Sequence, residues 1–180
     1  VVHGLTGWRI NWTIHVMKWG KCEKNLNTIE GRPKGHPEMI NSRSLFDLLP
    51  EVQPICSRFL TECEARGLRV LVTSTYRDDE YQIKVLWPKG RTEPGPKVTW
   101  TKATKHAERR AWDIAILNKE GKPVWDAKVD VDEDEMPDYM EARNVGQLMG
   151  LTCGADYGDW CHFEVSREAL AALNNERKGA

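Results

Sequence analysis

What the chain has little of narrows the field first. Its 26 Lys and Arg nearly balance 27 Asp and Glu, for a formal net charge of −1, so there is no one-sided field to draw it to nucleic acid. No apolar run is long enough to cross a bilayer, and no signal peptide is visible in a chain that begins at Val1. Stable membrane insertion is therefore not expected, and a leader lost ahead of Val1 is the other reading of the missing signal peptide. The five cysteines, Cys22, Cys56, Cys63, Cys153 and Cys161, are odd in number and hold no Cys-x-x-Cys pair. That argues against a disulfide framework and for folding in a reducing cytoplasm. Cys56 and Cys63 fall on one expected helix, too far apart to bridge. At 180 residues with 40% apolar content, one soluble, monomeric domain with a real core is expected, with room for an extra segment.

That extra segment is read at the N-terminus. Trp8, Ile10, Trp12, Ile14 and Val16 alternate with polar residues, the period of a half-buried strand. Residues 20–38 turn polar and rich in Gly, Pro, Lys and Asn, as linkers do. Ile29-Glu30-Gly31-Arg32 matches the factor Xa recognition tetrapeptide. Residues 1–38 are thus read as an appendage of the kind fusions introduce, with a genuine strand packed on the domain as the other reading. The main domain is placed at 39–180.

From residue 44 the pattern is regular. Leu45, Leu48, Leu49, Val52, Ile55, Phe59, Leu60 and Cys63 have helical spacing up to Gly67, a C-terminal stop. A β-rich strand is expected over 68–75, then a helix through Tyr81, Gln82, Val85 and Leu86 capped by Asp78 or Asp79. Residues 88–96 read as a loop, 112–117 as a strand, and Tyr139, Ala142, Val145, Leu148 and Met149 as a helix ended by Gly150. A strand over 160–165 and a helix from Ser166 close the chain. Mixed elements with few strands predict an α+β fold, a small, largely antiparallel sheet with helices packed on one side.

The residues with chemistry centre on 101–116. His106 and Asp113 are a candidate metal pair, Asp113 opening an apolar run; the alternative is a surface His beside a basic patch. His162 lies in a second strand pattern between aromatic neighbours, where a buried ring needs a ligand or a hydrogen-bond partner. Two imidazoles and a carboxylate would make an open zinc site that leaves the fourth position to water. Asp159, three residues before His162, is the candidate general base, with a plain turn residue as its alternative. Arg77 follows the strand at 68–75, where a guanidinium can stabilise an oxyanion or bind a carboxylate; the alternative is a surface ion pair.

Together these motifs resemble the VanX/VanY-like zinc D-Ala-D-Ala peptidases and L-alanyl-D-glutamate endopeptidases, including phage endolysins. Ser74-Thr-Tyr-Arg77 with Gln82 matches the family's Ser-x-Tyr-Arg and downstream Gln. Gly90-Arg-Thr-Glu-Pro-Gly95 and Val98-Thr99 match a segment of the endopeptidase branch. Next, His106, Ala111 and Asp113 match Ser-x-His-x-x-Gly-x-Ala-x-Asp, with Thr104 in place of Ser. Asp159, His162, Phe163 and Glu164 match the closing acidic residue and His-Phe/Val-Glu, after a Gly154-Ala-Asp-Tyr157 that is also family-like. The resemblance covers roughly 44–166 in the right order. It implies a hedgehog/D-Ala-D-Ala-peptidase-like fold and zinc held by His106, Asp113 and His162. It also implies Asp159 as base, Arg77 as transition-state or substrate contact, and Ser74, Tyr76, Gln82 and Thr104 as substrate-binding residues. The implied activity is cleavage of the peptidoglycan stem peptide, most simply as a phage lysin made in the cytoplasm and acting on the wall after release. A D-Ala-D-Ala carboxypeptidase or dipeptidase, or a non-catalytic wall-binding relative, are the alternatives.

One departure stands out. The family Gly between His and Asp is Arg109 here; Gly would allow a positive-φ turn that Arg adopts only at a cost. Separately, Asp130, Asp132, Asp134, Asp138 and Glu141 fall on positions 1, 3, 5, 9 and 12 of an EF-hand-type calcium loop. Position 6 is Glu135 where that loop requires Gly, so a solvated acidic loop preceding a helix is the expectation. Trp100, Trp112 and Trp125 are read mainly as core, with a groove lining as the other reading.

Overall fold

Two prolines and a glycine set the bounds of the first helix. The computed structural model describes residues 39–179; the alternating segment 8–16 and the linker 20–38 lie outside the described residues. The helical spacing that starts at Leu45 does not make one helix. A single 3-10 turn, Leu45–Asp47, ends at Leu48 in extended backbone, and α1 runs only over Gln53–Glu64. Pro50 disfavours helix at Leu49 and has no N–H to give, whereas Pro54 is tolerated inside the first turn of α1. Gly67 ends the helix as expected, at φ 89°, where glycine carries no Cβ penalty.

The chain then lays down β1 (Val70–Ser74), a short helix α2 (Asp79–Tyr81) running into a π-helical turn (Gln82–Leu86), β2 (Ala111–Leu117) and β3 (Pro123–Val124). After them come α3 (Asp138–Leu148), β4 (Thr152–Cys153), β5 (His162–Glu164) and α4 (Arg167–Gly179). Asp78 caps α2, its carboxylate accepting the Tyr81 N–H at 2.6 Å, and Ser166 does the same for α4 through the Ala169 N–H at 3.1 Å. The strands form one sheet in the order β1-β2-β5-β4, with β3 also on β2, and every pairing is antiparallel. This is the expected α+β architecture. β4 was not expected, because two residues are too few to show a period.

Alternation along β2 and β5 divides their side chains. Trp112, Ile114 and Ile116 join Phe163 in the core against Phe59, Cys56 and Cys63 of α1 and Tyr139, Ala142 and Val145 of α3. The Phe59 ring lies 4.5 Å from that of Phe163 and 5.7 Å from that of Trp112, centroid to centroid. Removing Phe59 would cost about 3–5 kcal/mol. Gly146 lets α3 approach this cluster, since a Cβ there would sit 2.8 Å from Cys153 Sγ. Of the three tryptophans named above, Trp112 is core at 0% exposure, while Trp100 and Trp125 stand 77% and 59% exposed. The core reading therefore holds for Trp112 alone. Cys56, Cys63, Cys153 and Cys161 are all free thiols, and among the described residues no helix is long and apolar enough to cross a membrane.

Candidate active site

Sheet register assembles the site. If Trp112 and Phe163 face the core, Asp113 and His162 must face the other way. Asp113 is the direct cross-strand partner of His162 on β5 and of Ser74 on β1. The Ser74 pairing depends on a register shift between Val72 and Ser74, an irregularity of the kind that re-aims side chains beside active sites. The row Ser74–Asp113–His162 thus runs across three strands on the face away from the core.

His106 arrives from a loop. Residues 104–109 form a tight turn in which Thr104 Oγ accepts the His106 N–H at 3.3 Å and the His106 carbonyl accepts the Arg109 N–H at 3.0 Å. Arg109 closes that turn at φ 57°. The left-handed conformation expected of a glycine is kept, at the cost anticipated for a side chain there. The guanidinium offsets that cost: it stacks 3.8 Å from the Tyr76 ring centroid and donates to the Asp47 carbonyl at 3.0 Å.

The His106 ring is 2% exposed. Its Nδ1 lies 2.8 Å from the Thr75 carbonyl, leaving Nε2 to face Asp113 Oδ1 at 3.2 Å. His162 mirrors it, with Nδ1 3.0 Å from the same Oδ1 and Nε2 3.4 Å from Glu164 Oε2. Ligand atoms of His106, Asp113 and His162 lie within 4.8 Å of one another. Both imidazoles have their outward nitrogen held by an oxygen, the outer-sphere arrangement that fixes the tautomer and aim of metal-binding histidines. Two imidazole nitrogens and a carboxylate oxygen so presented fit a divalent metal of intermediate softness.

Asp113 is held from behind as well. Its Oδ2 accepts from Arg77 at 3.0 Å, and the same guanidinium donates to Ser74 Oγ at 3.0 Å and Gln82 Oε1 at 3.1 Å. Ser74 and Gln82 are themselves 2% and 1% exposed, so they touch the site's chemistry through Arg77. Burial acts to raise the Asp113 pKa, but the charges and hydrogen bonds of His106 and His162 outweigh it and hold the carboxyl well below the usual range. For His162 burial acts downward, yet hydrogen bonds to Asp113 and Glu164 push its pKa up to about 9.

Asp159 stands at the entrance to β5, exposed, with its Oδ1 accepting from the Cys161 thiol at 3.1 Å. Its backbone is fixed against Gly154, whose carbonyl accepts the Asp159 N–H at 2.9 Å; a Cβ on Gly154 would come within 2.3 Å of the Asp159 carbonyl oxygen. Two participants escaped the sequence reading, and a third, Glu164, was named in the closing motif without a role. The Thr75 carbonyl has no sequence signal, being backbone, and Asn41, which accepts from Ser74 Oγ at 2.8 Å, is remote in sequence. Glu164 was legible: two residues after His162 in a strand, it shares that face.

A curated relative, the peptidoglycan L-alanyl-D-glutamate endopeptidase CwlK of Bacillus subtilis (strain 168), is 28% identical over 120 residues, 66% of this chain and 70% of that protein. A solved structure, the Serratia marcescens L-Ala D-Glu endopeptidase ChiX, aligns with this chain at 17% identity and a TM-score of 0.48, covering 81% of this chain and 98% of that one. No family model matches the chain.

Proposed function

We propose that this protein is a zinc-dependent endopeptidase that cuts the L-alanyl-D-glutamate bond of the peptidoglycan stem peptide and serves as a phage lysin. It works as a monomer on the wall outside the cytoplasm, with no nucleic-acid partner and no stable membrane insertion. The observation that carries the reading is the pairing of His106, Asp113 and His162 within ligand distance, each imidazole locked by an outer oxygen. The similarity to CwlK supplies the substrate class.

His106 Nε2, His162 Nδ1 and Asp113 Oδ1 would hold the zinc. Bound there, zinc supplies a Lewis acid for the scissile carbonyl and brings a water's pKa toward neutrality. Asp159, exposed beside the row and oriented by Cys161, takes a proton from the attacking water and returns it to the leaving amine. Arg77 anchors Asp113 and brings positive charge to where the carbonyl oxygen turns negative. Tyr76, fixed under Arg109, and Thr104, in the His106 turn, line the substrate side, with Ser74 and Gln82 behind them. The left-handed turn is kept at Arg109 despite the Gly-to-Arg departure, which supports the hydrolase reading over a non-catalytic wall binder.

A defined muropeptide digested by the zinc-loaded protein and resolved by mass tests the reading. A new free N-terminus on D-Glu, abolished by chelator and restored by zinc, is the expected product. Release of D-Ala instead would make it a carboxypeptidase, and an intact muropeptide that still binds would make it a wall-binding relative.

A further inference from the structure

Between the π-helical turn and His106 lies a segment that the chemistry above does not use. Over residues 87–103 it carries Lys89, Arg91, Lys97 and Lys102 against a single acidic residue, Glu93. Arg91 is spent on its internal structure: it donates to the Trp87 carbonyl at 2.8 Å and the Thr99 carbonyl at 2.9 Å, with its guanidinium 3.7 Å from the Trp87 ring centroid. Lys97 and Lys102 are not spent in this way. Their ammonium groups lie over indoles, 5.2 Å from the Trp100 centroid and 5.0 Å from the Trp87 centroid, and both residues are exposed.

Trp100 is 77% exposed, yet its two neighbours in the chain, Thr99 and Thr101, are both held. The buried Gln82 amide donates to Thr99 Oγ1 and to the Thr101 carbonyl, both at 2.7 Å. The other end of the same Gln82 amide accepts from Arg77, which holds Asp113. An indole fixed in the open, with the Lys97 ammonium beside it and the Lys102 ammonium over the Trp87 indole of the same segment, is a costly thing to present to water and is built two side chains away from the row that would hold the metal.

We propose that Lys97, Trp100 and Lys102 form a substrate subsite for the free carboxylate of the stem peptide next to the scissile bond. A glutamate following that bond has two carboxyl groups; one can continue the chain and the other remains an anion unless it is amidated. The two ammonium groups receive that anion, and the Trp100 face packs on the methyl and methylene groups beside it. The subsite therefore makes the enzyme prefer a free-carboxylate stem over its carboxamide form. This inference rests on the endopeptidase reading for its substrate.

The test uses two synthetic stem peptides, identical except that one has the free carboxylate and the other the carboxamide. With the zinc-loaded full chain, the free acid should show a KM lower by roughly tenfold, the scale of two exposed charge contacts. Lys97→Ala/Lys102→Ala should erase that preference by raising KM for the acid, and Trp100→Ala should raise KM for both peptides, all with zinc content unchanged. An acid-over-amide preference that survives the double lysine change overturns the proposal. Calorimetric binding of both peptides to the metal-depleted chain separates this from the hydrolase reading. If no peptide is cut but the acid binds more tightly to the wild type than to the double variant, the endopeptidase reading fails and the subsite stands. Equal binding to both, or to neither, overturns the subsite.

Discussion

Among the described residues, two regions bring metal-capable side chains within 4.8 Å of each other, and they are built in opposite ways. One is His106, Asp113 and His162; the other is the acidic loop, where Asp130, Asp132 and Asp138 form one group and Asp132, Asp134 and Glu141 another. In the first, each group has a partner of complementary character, and Asp113 is held well below the usual carboxylate range by its two imidazoles despite burial. In the second, like charges face each other. Burial, reinforced by neighbouring carboxylates, raises the pKa of Asp138 and Glu141, and Glu141 Oε2 is sealed from solvent without a hydrogen-bond partner. The loop closes by backbone instead: Asp130 accepts N–H groups from Glu133, Asp134 and Glu135. Proximity of carboxylates is therefore a weak signal for a metal. What sets the histidine cluster apart is the outer layer of Thr75, Glu164 and Arg77.

The largest effect that would break the contrast is loss of the ligands themselves. His106→Ala or His162→Ala should abolish zinc binding and lower wall-lysis rate by at least about 10³-fold. Asp159→Ala should lose comparable activity with about one zinc per chain retained, read by plasma emission. An Asp159→Ala protein that lyses walls normally would remove the base assignment.

Next comes the outer layer. Glu164→Gln leaves all three ligands in place, and should weaken zinc affinity by about 10–100-fold in a chelator competition. No change would mean that the His162 to Glu164 contact is incidental.

Protonation gives a third test. In the metal-free protein His162 keeps its proton to about pH 9, and zinc must displace it. Affinity should therefore climb by about tenfold per pH unit from roughly neutral pH toward 9, with proton release visible in buffers of different ionisation enthalpy. The folding linkage has the matching sign: a raised histidine pKa stabilises the metal-free fold fully below 6.5, and that contribution fades as pH rises through about 9. A pH-independent zinc affinity over this window would count against His162 as a ligand.

The smallest effect concerns strain. Both regions hold non-glycine residues in left-handed backbone: Arg109 at φ 57° and, in the acidic loop, Glu133 at 65° and Glu135 at 75°. Glu135→Gly should stabilise the fold by about 1 kcal/mol, a Tm gain of a few degrees. Arg109→Ala should destabilise by about 1–2 kcal/mol, since it keeps the strain and loses the Tyr76 stack and the Asp47 contact. Arg109→Gly should fall between them, as relief of strain offsets the lost contacts. Equal behaviour of the alanine and glycine variants would mean that φ at this position carries no cost.

Much of this was legible in one dimension. Short β-rich and apolar runs placed β1, β2 and the core of β5, and the ordered motifs from Ser74 to Glu164 named the residues that meet in the site. Helical spacing misled at Leu45–Val52 because periodicity does not register that Pro50 interrupts a helix. The Trp100 platform was hidden for a related reason, since an indole reads as core until the fold shows that Gln82 holds its neighbours Thr99 and Thr101.

The sequence by itself determined the chemistry on offer: two imidazoles, a carboxylate, a guanidinium and a second acid, all but His106 on or beside a strand that its residue pattern predicts. Only the tertiary structure decided how they meet. The bulge before Ser74 and the β2–β5 register align residues far apart in the chain, because pairing across strands fixes which side chains share a face. The carbonyl of Thr75 and the carboxylate of Glu164 then set which imidazole nitrogen faces Asp113, since a hydrogen bond at one ring nitrogen leaves the other to coordinate.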